Sequence, residues 1–97
     1  MNDITYYSDP SKAQHNAFVY LGRGAHLYLS SRKNKKYQIY DPNQHKWIHF
    51  GQLGYEDFTK HRDENRRQKY LNRSTKIKGD WKEDPYSPNN LSINILW

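Results

Sequence analysis

Between residues 25 and 50 apolar and polar positions alternate, which is the period of a strand with one covered face. In Ala25-His-Leu-Tyr-Leu-Ser30, Leu27 and Leu29 fall on one side and His26, Tyr28 and Ser30 on the other. Tyr37-Gln-Ile-Tyr40 and Lys46-Trp-Ile-His-Phe50 continue the strand character. Between them lies Asp41-Pro-Asn-Gln44, a turn signal, because Pro presets its dihedral and Asp and Asn bond nearby backbone. The pattern predicts a small antiparallel β-meander of two or three strands, with residues 37–50 as its hairpin.

On either side the period changes. Ala13, Ala17, Phe18 and Leu21 fall at helical spacing, so residues 8–22 form a possible helix, with Ser8 as cap, Pro10 in the first turn and Gly22 as stop. The run Phe18-Val-Tyr-Leu21 also fits a strand. From Asp63 to Arg73 there is no Gly or Pro, and acids occupy the first turn where the helix dipole favours them. That helix is not an ordinary core helix, since nothing from Thr59 to Lys69 is apolar. Ser87-Pro88 reads as the cap and first turn of a short C-terminal helix with Leu91, Ile95 and Leu96 on one face. A strand is the alternative there, because Leu91, Ile93, Ile95 and Trp97 alternate. The expectation is an α+β fold: the meander, then the basic helix, then the short C-terminal helix. Residues 1–24 form an extended, flexible or partner-ordered N-terminal arm, and residues 25–97 form one small basic domain. Trp47, Ile48, Phe50, Tyr55, Phe58, Tyr70, Leu71 and Trp81 should supply the core, with some of Leu91, Ile95, Leu96 and Trp97.

Size and composition narrow the function. Ninety-seven residues make one modest domain, and nine of the residues counted as hydrophobic are Tyr, so the aliphatic core is small. With no Cys there is no disulfide and no cysteine-ligated metal. No apolar run is long enough to span a membrane, and residues 1–9 lack the basic and apolar regions of a secretory signal. Synthesis in the reducing interior of a cell is expected. The net charge is +6 and unevenly spread. Residues 60–82 carry Lys60, Arg62, Arg66, Arg67, Lys69, Arg73, Lys76, Lys78 and Lys82 against Asp63, Glu64 and Asp80, and a basic turn holds Arg32, Lys33, Lys35 and Lys36. Such clusters draw polyanions by neutralising phosphates and releasing counterions. A merely solvated face is the plainer reading.

On a helix, Asp63, Arg66, Tyr70 and Arg73 fall on one face. Arg67 lies four residues after Asp63. The stripe is either laced by weak intrahelical pairs or offers an arginine face, braced by Asp63, to phosphates or acidic protein; Arg suits the second because its planar fork bonds bidentately. Arg66, Arg67, Lys69, Tyr70, Arg73, Lys76 and Lys78 are the candidate polyanion or partner-binding face, and Trp81, Leu91, Ile95, Leu96 and Trp97 are candidate apolar anchors.

The order of motifs is also informative: Ser31-Arg-Lys-Asn-Lys-Lys-Tyr37, His49-Phe-Gly51, Tyr55-x-Asp-Phe-Thr-Lys-His61-x-Asp63-x-x-Arg66-x-x-x-Tyr70-Leu-x-Arg73, Trp81, and Ser87-Pro-Asn-Asn-Leu-Ser-x-x-Ile-Leu-Trp97. Over residues ~30–97 it resembles a family of small uncharacterised proteins of nucleocytoplasmic large DNA viruses, with related forms in tailed phages; residues 1–29 have no counterpart. The resemblance implies a viral origin and brings no activity or catalytic residues; a place in the virion is expected from the capsid role below.

Catalysis is disfavoured. His45, His49 and His61 with Asp57 and Asp63 suggest a metal site, yet the His45–His49 spacing suits ligands only on a helix, and His61 and Asp63 diverge on one. No phosphate-binding glycine loop or nucleophile signature is present. No cofactor, metal or small-molecule substrate is expected. The expected function is a non-enzymatic minor capsid (cement) protein that links capsid proteins of the same virus from inside the shell. The alternative is non-specific binding of DNA or RNA, the viral genome or its transcripts, with Tyr stacking on unpaired bases.

Overall fold

The computed structural model describes residues 4–97; the first three residues of the expected N-terminal arm lie outside the described residues. Helix α1 spans Pro10–Leu21. It is capped by Asp9 and not by Ser8: the Asp9 carboxylate accepts from the Ser11 and Lys12 amides, and Pro10 fits the first position, where a missing N–H costs nothing. Ser8 is buried and takes a 2.7 Å hydrogen bond from the Tyr37 hydroxyl. Gly22 ends α1 at φ 103°, a conformation that favours glycine.

Three antiparallel strands follow in the order β1 (Tyr28–Leu29), β2 (Lys35–Asp41) and β3 (Lys46–Gln52). Tyr28 pairs with Gln38, Ile39 with Ile48, and Tyr37 with Phe50. The hairpin turn is held as its residues suggest, with Asp41 accepting from the Asn43 amide at 2.8 Å. The first strand is shorter than the alternation implied, and only two of its residues join the ladder.

Asp57 caps α2 (Phe58–His61), and Arg62 at φ 58° turns the chain so that Asp63 can cap α3 (Glu64–Ser74). Past a short turn at Asp80–Glu83, Ser87 caps α4 (Pro88–Leu91), which runs on as a wider π-type turn over Ser92–Leu96. The C-terminal segment is therefore helical, as the Ser-Pro start indicated.

The core draws on segments far apart in the chain. Ala13 and Ala17 of α1, Ala25, Tyr37 and Ile39 of β2, Phe50 of β3, and Leu91, Ile95 and Leu96 are all buried. The α1 alanines let that helix lie against the C-terminal turn, where Asn16 Nδ2 donates to the Ile95 carbonyl at 2.8 Å. Residues 10–21 thus share one core with the sheet, and no boundary separates them from residues 25–97. Of the residues expected inside, Phe50, Leu91, Ile95 and Leu96 are buried and Ile48 packs against them. Phe58, Tyr70, Leu71 and Trp81 are only half-buried, and Trp47 is 47% and Tyr55 69% exposed. The alternation that places Trp47 on a strand is correct, but it lies on the face that α1 and α4 do not cover. Among the described residues, no helix is long and apolar enough to cross a membrane.

Candidate functional site

Helix α3 is polar all round before Tyr70, so an apolar stripe cannot hold it. Three contacts do so instead. The Tyr70 ring stacks on Trp97 with centroids 4.2 Å apart and planes 9° apart. Arg67 Nε donates to the Trp97 carbonyl oxygen at 2.7 Å, and Asn89 Nδ2 donates to the Ser74 carbonyl at 3.1 Å. The helix is thereby set beside the end of the sheet with a groove of about 560 Å³ between them.

Arg66, Lys69, Tyr70 and Arg73 line that groove from α3, and Tyr55, Trp97 and Gly51 face them. Gly51 is needed here. It has φ +81°, and a Cβ on it would stand 2.9 Å from Leu96 Cδ1 and 3.2 Å from Lys36 Cβ, so a larger residue would be strained and would displace those side chains. Glu56 is the one acid among the described residues that line the groove, and it is in no ion pair with them. Among the described residues the ion pairs are Lys36–Asp57 at 3.0 Å and Arg67–Glu64 at 3.5 Å. Arg66, Lys69 and Arg73 are exposed and have no carboxylate partner at that range among the described residues. The Arg73 guanidinium lies 5.8 Å from the centre of the Tyr70 ring.

Not every candidate joins them. Arg67 points away, bridging Trp97, Glu64 and the face of Phe58. Lys76 and Lys78 are exposed beyond the end of α3 and are not part of the groove. Asp63 does brace the helix, but through its backbone: it accepts from the Asn65 and Arg66 amides at 2.9 and 3.3 Å. In the basic turn, Arg32 and Lys33 are exposed and Lys35 is half-buried, whereas Lys36 is buried against Asp57 at the groove floor. Burial pushes the Lys36 amine below the usual lysine range, and Asp57 pulls the other way.

The apolar anchors have internal partners. Leu91, Ile95 and Leu96 are core residues, and Trp97 is half-buried on Tyr70. Trp81 is half-buried too, its indole N–H donating to the Ile77 carbonyl at 2.7 Å. Leu91, Ile95 and Leu96 thus serve this chain's own core, while Trp81 and Trp97 keep part of their rings in water.

Among the described residues no three of His, Asp or Glu are placed to hold a metal. His61 Nδ1 accepts from the Asp63 amide at 2.9 Å, and its ring lies 5.2 Å from Trp97. Burial first, and then Arg66, hold its pKa below the usual histidine value, against the opposing pull of Glu56, Asp63 and Asp57. Sequence reasoning missed the Lys36–Asp57 pair, Gly51 and Tyr55 as parts of this site. Only the glycine has a sequence signal, as an interruption in a strand pattern.

One family model matches the chain, that of a family of unknown function (DUF5754), over residues 25–74. The matched stretch contains the sheet, α2 and α3, and so the groove cations Arg66, Lys69 and Arg73. No curated protein and no solved structure matches.

Proposed function

We propose that this chain, which belongs to the DUF5754 family, is a non-enzymatic nucleic-acid-binding protein that takes the phosphate backbone along α3. The observation that carries the reading is the set of three exposed cations, Arg66, Lys69 and Arg73, on one groove wall with no ion pair to a carboxylate among the described residues. Arg forks bond phosphate oxygens bidentately, and a lysine adds a mobile charge. The surrounding rings of Tyr55, Tyr70 and Trp97 give the groove a stiff wall. Nothing in this arrangement selects a base sequence, so affinity is expected to be electrostatic and steeply salt-dependent.

The test is binding of labelled DNA across a salt series, for the native chain and for Arg66→Ala/Arg73→Ala. Removing two phosphate contacts should flatten the slope of log affinity against log salt by about 2 on duplex DNA. Negligible affinity at ~150 mM salt, or an unchanged slope in the variant, would sink the reading.

A structural part in a viral shell is the second reading. What favours it is the exposure of Tyr28 and Trp47, residue types enriched at the energetic centres of interfaces. Incorporation into particles at fixed stoichiometry, insensitive to the arginine variants, would support it over nucleic-acid binding.

A further inference from the structure

We infer that the open face of the sheet is a base-stacking platform and that the nucleic acid this protein takes is single-stranded; this rests on the reading of α3 as a phosphate-binding face. Register places Gln38 and Tyr40 of β2 on the same face as their partners His49 and Trp47 of β3, with Tyr28 of β1 beside Gln38. The Tyr28 ring lies 5.7 Å from Trp47 and the Tyr40 ring 5.5 Å from it, both edge-on. These rings are well exposed, Tyr28 at 53% and Tyr40 at 42%, while Tyr37, Ile39 and Phe50 on the other face are in the core.

Charge identifies the occupant. Residues 25–53 contain Arg32, Lys33, Lys35, Lys36 and Lys46 and one acid, Asp41. Asp41 is buried and serves the hairpin turn. Lys36 is held by Asp57, and register puts Lys46 beside Asp41 on the opposite face. Lys35 lines a hollow there with Phe50, Tyr70 and Trp81, which leaves the exposed Arg32 and Lys33 of the basic turn at the end of the strip. The strip leads into the basic turn: Ser30 Oγ lies 2.7 Å from His49 Nδ1 and accepts from the Arg32 amide at 3.0 Å. An apolar protein surface laid here would have to cover those cations, and a second copy would bring the same charges. A polyanion with flat apolar faces matches both features, and a single strand is such a ligand. In a duplex the base faces are already stacked on each other, so a surface platform has nothing to hold.

The experiment compares three labelled probes of about 12 nucleotides: a pyrimidine strand, the same strand built of abasic residues, and the duplex. The native chain is measured beside Trp47→Ala, Tyr40→Ala and Arg66→Ala/Arg73→Ala, with thermal melts to check folding. The base-bearing strand should bind about tenfold or more tighter than the abasic one, and Trp47→Ala and Tyr40→Ala should bring it towards the abasic level. Equal binding of the base-bearing and abasic strands, or preference for the duplex, overturns the platform and leaves the phosphate reading standing. Binding of none of the probes overturns both. A dimer in sedimentation that Trp47→Ala converts to monomer assigns the face to a second copy and overturns the platform too. Because the comparison of probes uses the native chain, a misfolded variant does not remove the test.

Discussion

Lys36 and Asp57 bury opposite charges at 3.0 Å, and both are nearly sealed from water. A buried pair is costly to assemble and costly to break, because either partner left alone keeps an uncompensated charge in a poorly solvated place. The two partners are not equivalent. Asp57 also accepts from the Thr59 amide and hydroxyl, and so caps α2, whereas Lys36 adds only a long 3.4 Å bond to the Tyr7 carbonyl. Asp57→Ala should therefore destabilise by roughly 3–5 kcal/mol in urea unfolding, and Lys36→Met by clearly less. The reverse order would show that the cap and the hydrogen bonds of Asp57 count for little. In the sequence Lys36 is one of four cations in a basic turn, and nothing local distinguishes it. Its partner is 21 residues away, and only the fold brings them together.

At the scale of the element, α4 and its π-type extension show how a short segment can be both legible and misjudged. Ser87 and Pro88 announce the helix start, and the Ser87 hydroxyl oxygen accepts from the Asn90 amide at 3.2 Å. The spacing of Leu91, Ile95 and Leu96 correctly puts them on one covered face. What covers them is this chain's own α1 and sheet, not a neighbour. Deletion of residues 91–97 should therefore abolish the cooperative thermal transition followed by circular dichroism, since it removes the aliphatic centre of a small core. A sharp transition in the truncated chain would return the segment to the role of a docking tail. Helix α3 gives the opposite lesson: its exposed arginine stripe was readable from spacing, while the Tyr70–Trp97 stack that fixes where the stripe points was not.

For the molecule as a whole, pH connects charge to stability. His61 and His49 both have folded pKa values lowered from 6.5, each chiefly by burial and then by a guanidinium, that of Arg66 and Arg32 respectively. Below that value the unfolded chain binds more protons than the folded one. Their contribution is thus complete above about pH 6.5 and is lost as the pH falls through the lower folded values. Protonation at His61 Nδ1 would also remove the acceptor of the Asp63 amide, which leads into α3. The melting temperature should fall between pH 7.5 and 5, and less steeply in His61→Gln. A melting temperature that rises on acidification would contradict the assignment. The same acidification adds positive charge to a chain already at +6, so on the proposed reading of α3 nucleic acid should offset part of the loss by binding the folded state.

The sequence by itself determined the α+β class, the hairpin, the Ser87-Pro88 helix start and the polycationic character of α3, and it offered a helix over residues 8–22 with its cap one residue early. These are local matters, set by side-chain period, turn chemistry and the residues able to bond a free amide. Tertiary structure decided which face of each element is covered. It took Leu91, Ile95 and Leu96 into the core, left Trp47 and Tyr55 in water, and drew Lys36 out of the basic turn into an ion pair. Periodicity states that a strand has two faces, and the neighbours that choose between them come from the far ends of the chain.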